Sequence, residues 1–249
     1  MTLALITGGS EGIGLELAKC FASDGTDLIL TARDMEKLNQ AKQLLEKTYA
    51  VHVTVISKDL SQPHAARELY EQLKYRNIDY VINNAGCGTA DASWRIPPEQ
   101  DEAMIHVNIT AVTVLTSLFL NDMLARNSGT IMNVASTGAF LPGPYIASYY
   151  ASKAYVLRYT EAVAEEVRGS GVHVCCLCPG PAATSFYRKS RQKVPFFAMK
   201  AADCAAYAYA KMNSGQTVIV PGMINQLSRL VPKKPAMYFV GKLKRKKDG

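Results

Sequence analysis

Short apolar runs alternate with longer stretches of helical period from one end of the chain to the other, and no other feature limits its fold so strongly. "LALIT" precedes a helical pattern over 13–23, "DLILTA" precedes 35–49, "VHVTVIS" precedes 64–75, and "IDYVIN" precedes a pattern over about 99–124. "GTIMNVAS" then leads into 148–168, "GVHVCCLC" into 201–213, and "QTVIVP" closes the series. Strand, helix, strand at this spacing requires right-handed crossovers, and hence a parallel sheet covered by helices on both faces. The fold class read from this pattern is α/β, a doubly wound sheet of about seven strands in one domain over residues 1–222, followed by a basic amphipathic tail over 223–249. A chain of 249 residues, 48% of them hydrophobic, is long enough to bury such a core.

The formal net charge of +7 is local rather than general. Residues 229–249 hold eight of the 28 Lys and Arg and one of the 21 acids, which leaves 20 of each in positions 1–228. A neutral body argues against a general nucleic-acid surface and assigns the basic character to the tail. No stretch is read as approaching the ~18 uncharged apolar residues of a membrane span, and the first strand pattern begins at Leu3, so a cytoplasmic protein is expected. The CxxC at 175–178 lies in a β-branched apolar run, where side chains three apart point to opposite faces. Cys175 and Cys178 therefore cannot share a metal or a disulfide, and the cysteines read as small buried hydrophobes. His52, His64, His106 and His173 fall at unrelated spacings without acidic or Cys partners, so no metal site is expected. Trp94 reads as a loop anchor near a cleft mouth, with contact to substrate as the alternative.

In a doubly wound sheet, ligands bind beyond the carboxyl ends of the strands, where strand order reverses. There, directly after the first strand, stands "TGGSEGIG", with Gly8, Gly12 and Gly14 in a turn that opens a helix. Glycines in that place let the backbone turn tightly, approach a pyrophosphate and pack the helix on the sheet, while the helix N-terminus offers N–H groups to the anion. The second strand ends in Thr31, Ala32, Arg33, Asp34. An acid that would bind an adenosine 2′-OH is missing at Ala32, and the Arg33 guanidinium is placed to fork onto a 2′-phosphate, which favours NADP over NAD. Asp34 reads as the N-cap of the following helix.

These motifs together resemble the short-chain dehydrogenase/reductases, a family of Rossmann-type fold, in their compact form of about 250 residues. "TGGSEGIG" matches the TGxxxGxG turn, Asp59 in "KDLS" is similar to the aspartate beside the adenine, and "NNAG" at 83–86 matches the motif ending the fourth strand. Asn108, Ser136, Tyr149 and Lys153 fall where the catalytic Asn, Ser and YxxxK pair are expected, and "PGPAAT" resembles the PGxxxT segment over the nicotinamide. The resemblance implies cofactor contacts from Gly8, Ser10, Glu11, Gly12, Ile13 and Gly14, from Arg33, Asp59 and Leu60, from Asn84, Ala85 and Gly86, and from Tyr149, Lys153, Pro179, Gly180 and Thr184. It also implies a homodimer or homotetramer. YxxxK selects Tyr149 over Tyr150, which reads as packing or cleft wall. A phenol of pKa ~10 needs a nearby cation to favour phenolate at neutral pH, and Lys153, one helical turn on, supplies it. Ser136 is expected to hydrogen-bond the substrate oxygen, and Asn108 to hold a water joining Lys153 to solvent.

The expected activity is NADP(H)-dependent interconversion of a carbonyl and an alcohol. A quiet nucleotide-binding regulator is the alternative, although it would need the glycines but not Tyr149 with Lys153. A lid is expected over about 185–200, where Phe186, Tyr187, Pro195, Phe196, Phe197 and Met199 suit an apolar substrate and Arg188, Lys189, Arg191 and Lys193 suit an anionic group on it. Ile224, Leu227, Leu230 and Val231 share one helical face of the tail, with Phe239, Val240 and Leu243 further on. This basic amphipathic segment is read as docking either on the body or on an anionic membrane.

Overall fold

The structure is a computed structural model that describes residues 2–184, 186, 195, 198–227 and 231–244. In chain order its elements are β1 (Leu3–Thr7), α1 (Gly12–Ser23), β2 (Asp27–Ala32), α2 (Met35–Thr48), β3 (Val53–Ser57), α3 (Ala65–Leu73) and β4 (Tyr80–Asn83). There follow α4 (Pro98–Ile105), a π-turn (His106–Thr110), α5 (Ala111–Ala125), β5 (Gly129–Val134), a 3-10 turn (Thr137–Phe140), α6 (Ala147–Glu166) and β6 (Val172–Leu177). The chain continues with β7 (Ala182–Ala183), β8 (Met199–Lys200), α7 (Ala201–Asn213), β9 (Val218–Ile219), α8 (Met223–Leu227) and α9 (Lys233–Lys244).

The seven-stranded sheet has the order β3-β2-β1-β4-β5-β6-β9 and every pairing in it is parallel. Alternation along the strands divides the core cleanly. Ala4, Ile6, Leu28 and Leu30 pack with Leu17 and Phe21 of α1, Leu38 and Leu45 of α2 and Met212 of α7. Leu3, Leu5, Ile29 and Val81 face the other way, onto Leu69 of α3, Leu115 and Phe119 of α5 and Val163 of α6. A one-residue slip in any strand would exchange these faces, which is why the register is strongly specified. Cys175 lies in the first of these layers, whereas Cys176 and Cys178 lie among residues of α5 and α6 on the opposite face. The sulfurs that meet are those of Cys176 and Cys178, at 3.8 Å, and all six cysteines are free thiols.

One expectation changes here. The predicted helix over 99–124 is α4, the π-turn and α5 in one run, Pro98–Ala125, and it is long and apolar enough by composition to cross a membrane. The sequence reading that no stretch approaches that limit is corrected. The run's apolar character has another cause, because Leu115, Phe119 and Met123 bury against the sheet. The lid residues Tyr187, Arg188, Lys189, Arg191, Lys193, Phe196 and Phe197 lie outside the described residues, as does Leu230. What is described is the base of that segment: β7 pairs with β8, with Ala182 opposite Met199, so the chain leaves and re-enters at one place beside the sheet.

Candidate active site

Loops leaving the carboxyl ends of β1 to β6 converge on one cleft of about 750 Å³, at the reversal of strand order between β1 and β4. The first loop is built by two glycines in different ways. Gly8 adopts φ 65°, in the left-handed region, and its N–H reaches Thr31 O at 2.7 Å. Gly14 has an ordinary φ, but a Cβ there would lie 2.3 Å from Gly8 O, so its bare backbone lets α1 pack under the turn. Gly14 is accordingly beneath the cleft rather than in its wall, a correction to its expected contact. The other turn residues, Gly8, Ser10, Glu11, Gly12 and Ile13, line the cleft, and α1 starts without a side-chain cap. Asn84 lines it too, with its Nδ2 committed to Thr7 O at 3.0 Å and Gly8 O at 3.2 Å, stapling the turn to β4.

At the β2 and β3 end, Arg33, Asp59 and Leu60 line the cleft, and Asp34 caps α2 by accepting from Lys37 N at 3.1 Å. Burial pushes the Asp59 carboxyl up, but hydrogen bonds from Ser61 N (3.0 Å) and Ser61 Oγ (2.8 Å), with the Arg33 charge, bring it below its usual range. Lys37 and Lys58 line the same end, although the sequence reading passed over them. Lys37 stands 3.4 Å from the Glu11 carboxylate and Lys58 3.0 Å from that of Glu68. Lys37 is brought in by the turn of α2 and Lys58 by the end of β3, so only helix register and strand pairing could reveal them.

At the β4, β5 and α6 end lie Ala85, Gly86, Ser136, Tyr149 and Lys153, with Pro179, Gly180 and Thr184 beside them from the loop after β6. Lys153 is only 3% exposed, its Nζ donates to Val134 O at 2.8 Å, and it sits 5.9 Å from the Tyr149 ring centre. Burial lowers the Lys153 ammonium from 10.5 to about 8. The Tyr149 ring packs on Phe186 at 5.3 Å between centroids. Tyr150 fills a slot floored by Gly138 and Gly143, whose Cβ atoms would come within 2.9 and 2.5 Å of its ring, and burial raises its phenol. Ser136 Oγ accepts from Gly138 N at 3.1 Å, so it caps the 3-10 turn while lining the cleft.

Asn108, expected to hold a water beside Lys153, uses its side-chain amide to join two segments of the chain. It is fully buried and not in the cleft wall. Its Oδ1 accepts from Cys87 N at 3.0 Å, and its Nδ2 donates to Cys87 O at 2.9 Å and to Ser152 Oγ at 3.0 Å. Ser152 Oγ in turn donates to Tyr149 O at 2.7 Å, so Asn108 ties the loop after β4 to the helix carrying the tyrosine. The π-turn presents this side chain inward. A second buried set fixes the same region: Asn83 Nδ2 to Asn133 Oδ1 at 2.8 Å, and Asn133 Nδ2 to Thr160 Oγ1 at 3.0 Å, join β4, β5 and α6. Trp94 is 81% exposed and is not part of the cleft wall. Among the described residues no cluster of His, Cys, Asp or Glu could hold a metal.

The sequence model of the short chain dehydrogenase family matches residues 2–195. The 2-dehydro-3-deoxy-D-gluconate 5-dehydrogenase of Bacillus subtilis is 35% identical over 73% of this chain and 71% of its own length. The 17-beta-hydroxysteroid dehydrogenase type 3 of Homo sapiens is 31% identical over 73% of this chain, and the match spans only 59% of that relative's length. Among solved structures, a short-chain dehydrogenase from Sphingobium yanoikuyae in complex with NADPH superposes with a TM-score of 0.87 and 26% identity, covering 100% of this chain and 98% of that one. A short chain dehydrogenase/reductase from Burkholderia phymatum in complex with NAD superposes at 0.83 with 23% identity, covering 100% of this chain and 97% of that one.

Proposed function

Because the chain belongs to the short chain dehydrogenase family, we propose that it is an NADP(H)-dependent oxidoreductase that interconverts a lipophilic ketone or aldehyde and the corresponding alcohol. The observation that carries this reading is the division of one cleft between two ends. Arg33, Lys37 and Lys58 stand beyond β2 and β3, and Ser136, just past β5, stands with Tyr149 and Lys153 of α6. From β2 to β5 is three strand steps in the sheet order, roughly 14 Å, which suits an extended dinucleotide with its 2′-phosphate at one end and its nicotinamide at the other. The walls fit such a group: an uncapped helix start faces the middle, and at Gly86 a Cβ would come within 3.2 Å of Lys153 Nζ.

When bound, the nicotinamide supplies the hydride. This chain's own residues supply position and the proton. In reduction the Tyr149 hydroxyl gives its proton to the substrate oxygen, and in oxidation the phenolate takes it back. Lys153, cationic in its majority at neutral pH with its pKa about 8, stabilises that phenolate. The Ser136 hydroxyl donates to the oxygen on which charge develops. Asn108 acts through Cys87 and Ser152, as a positioning residue. Apolar wall from Val107, Ile146, Ala182, Phe186 and Pro195 supports a lipophilic substrate.

The test is kcat/KM for NADPH oxidation across a chain-length series of ketones and aldehydes beside polar sugars. A rise with chain length supports the reading, and a preference for sugars or a flat response overturns the substrate class. For the cofactor, Arg33→Ala is expected to weaken NADPH binding by about 1.5 to 3 kcal/mol and to leave NADH nearly unchanged. Equal losses for both would remove Arg33 as the 2′-phosphate reader.

A further inference from the structure

The C-terminal segment carries apolar and basic surface that the proposed reaction does not use. In α8, Met223, Ile224 and Leu227 are 82%, 83% and 62% exposed, so the apolar face that the sequence offered to the body is turned to solvent. On α9, Lys234, Tyr238 and Lys242 recur at intervals of four, which sets them along one face, and all three are exposed. Between 204 and 247 the chain has no Asp or Glu and nine Lys and Arg. Both helices are seated beside the cleft. Asn225 packs so closely on Gly180, a cleft-lining residue, that a Cβ there would lie 2.3 Å from its side chain. A Cβ on Gly241 would lie 3.5 Å from Pro144, two residues before the cleft-lining Ile146.

We infer that α8 and α9 form a docking face for an anionic lipid bilayer, set beside the mouth of the cleft. Exposed Met, Ile and Leu of α8 gain by entering the boundary between headgroups and acyl chains, and the exposed lysines of α9 are attracted to anionic headgroups. The alternatives match only half of this surface. A second copy related by a two-fold axis would set this basic face against itself. A nucleic acid would pair with the lysines but leave Met223, Ile224 and Leu227 in water. The inference does not depend on the oxidoreductase reading, since binding is measured without turnover and either can fail alone.

The full chain is to be sedimented with vesicles of phosphatidylcholine alone and with an equal mixture of phosphatidylcholine and phosphatidylglycerol. Binding to the mixed vesicles is expected at least about tenfold above that to the neutral ones, with release by salt. Ile224→Asn with Leu227→Asn, and separately Lys234→Glu with Lys242→Glu, are each expected to lower it by about tenfold while the urea unfolding midpoint stays that of the parent. No binding to the mixed vesicles, equal binding to both kinds, or indifference to both double variants would overturn the inference. So would a parent dimer, blind to vesicles, that the apolar double variant splits in sedimentation velocity. Retention of duplex DNA that only the charge variant abolishes, without vesicle binding, would overturn it as well.

Discussion

Two adjacent tyrosines with different surroundings offer the sharpest test at the scale of single residues. Both line the cleft, but the Tyr149 ring centre stands 5.9 Å from the Lys153 Nζ and packs on Phe186, whereas Tyr150 is held in a slot floored by Gly138 and Gly143. Tyr149→Phe is expected to lower kcat by about 10²-fold or more with NADPH binding retained, because it deletes one proton donor and little surface. Tyr150→Phe should be much milder. Steady-state kinetics with fluorescence titration of NADPH separates the two, and a reversal would reassign the proton donor. The choice of tyrosine was legible in the YxxxK spacing, since a helix repeats its face after one turn. Lys37 was not legible as a cleft residue, because an ion pair with Glu11 across two loops has no trace in local sequence.

Among the elements, the π-turn decides what Asn108 does. A regular helix from 98 to 125 would rotate the residues after 106 away from their present faces, and the extra residue per turn sets Asn108 inward against Cys87 and Ser152. Asn108→Ala is expected to lower the unfolding free energy by about 2 to 3 kcal/mol, because it leaves the Cys87 amide and carbonyl without their side-chain partner. Urea unfolding measures this, and a variant within about 0.5 kcal/mol of the parent would show that water replaces the amide. The helix was predictable from its apolar period, but the π-turn was not, since a single shift of phase within a run from Pro98 to Ala125 leaves its reading as a helix unchanged.

Over the whole molecule, the buried Lys153 makes stability depend on pH in a defined direction. Its folded pKa of about 8 lies below the unfolded value near 10.5. Between those values the unfolded chain binds a proton that the folded chain does not, so stability rises with pH through that window. Below about pH 8 both states carry the proton and the cost of the buried charge is fully present. Compared with Lys153→Met, which lacks this titration, the cofactor-free parent should gain roughly 2 to 3 kcal/mol between pH 7 and pH 10. Burial also raises the thiol of Cys204 to about 12, but that group is common to both proteins and cancels in the comparison. Parallel stability curves from urea unfolding at several pH values would show that Lys153 keeps its proton equally in both states.

The strand-helix alternation by itself determined the doubly wound sheet, because each apolar run and each helical face can be buried only one way once the crossovers are right-handed. It also determined that the glycine turn, Arg33, Asp59, Asn84 and Ser136 would meet, since loops after parallel strands share one edge of the sheet. Tertiary structure alone decided what each residue does there. Gly14 lies under the turn because Gly8 O occupies the space a side chain would need, and Asn108 serves the backbone of Cys87 because a π-turn rotates it from the cleft. Ile224 and Leu227 face solvent because α8 is held to the body through Asn225 on Gly180, a contact between residues 45 apart that no periodicity records.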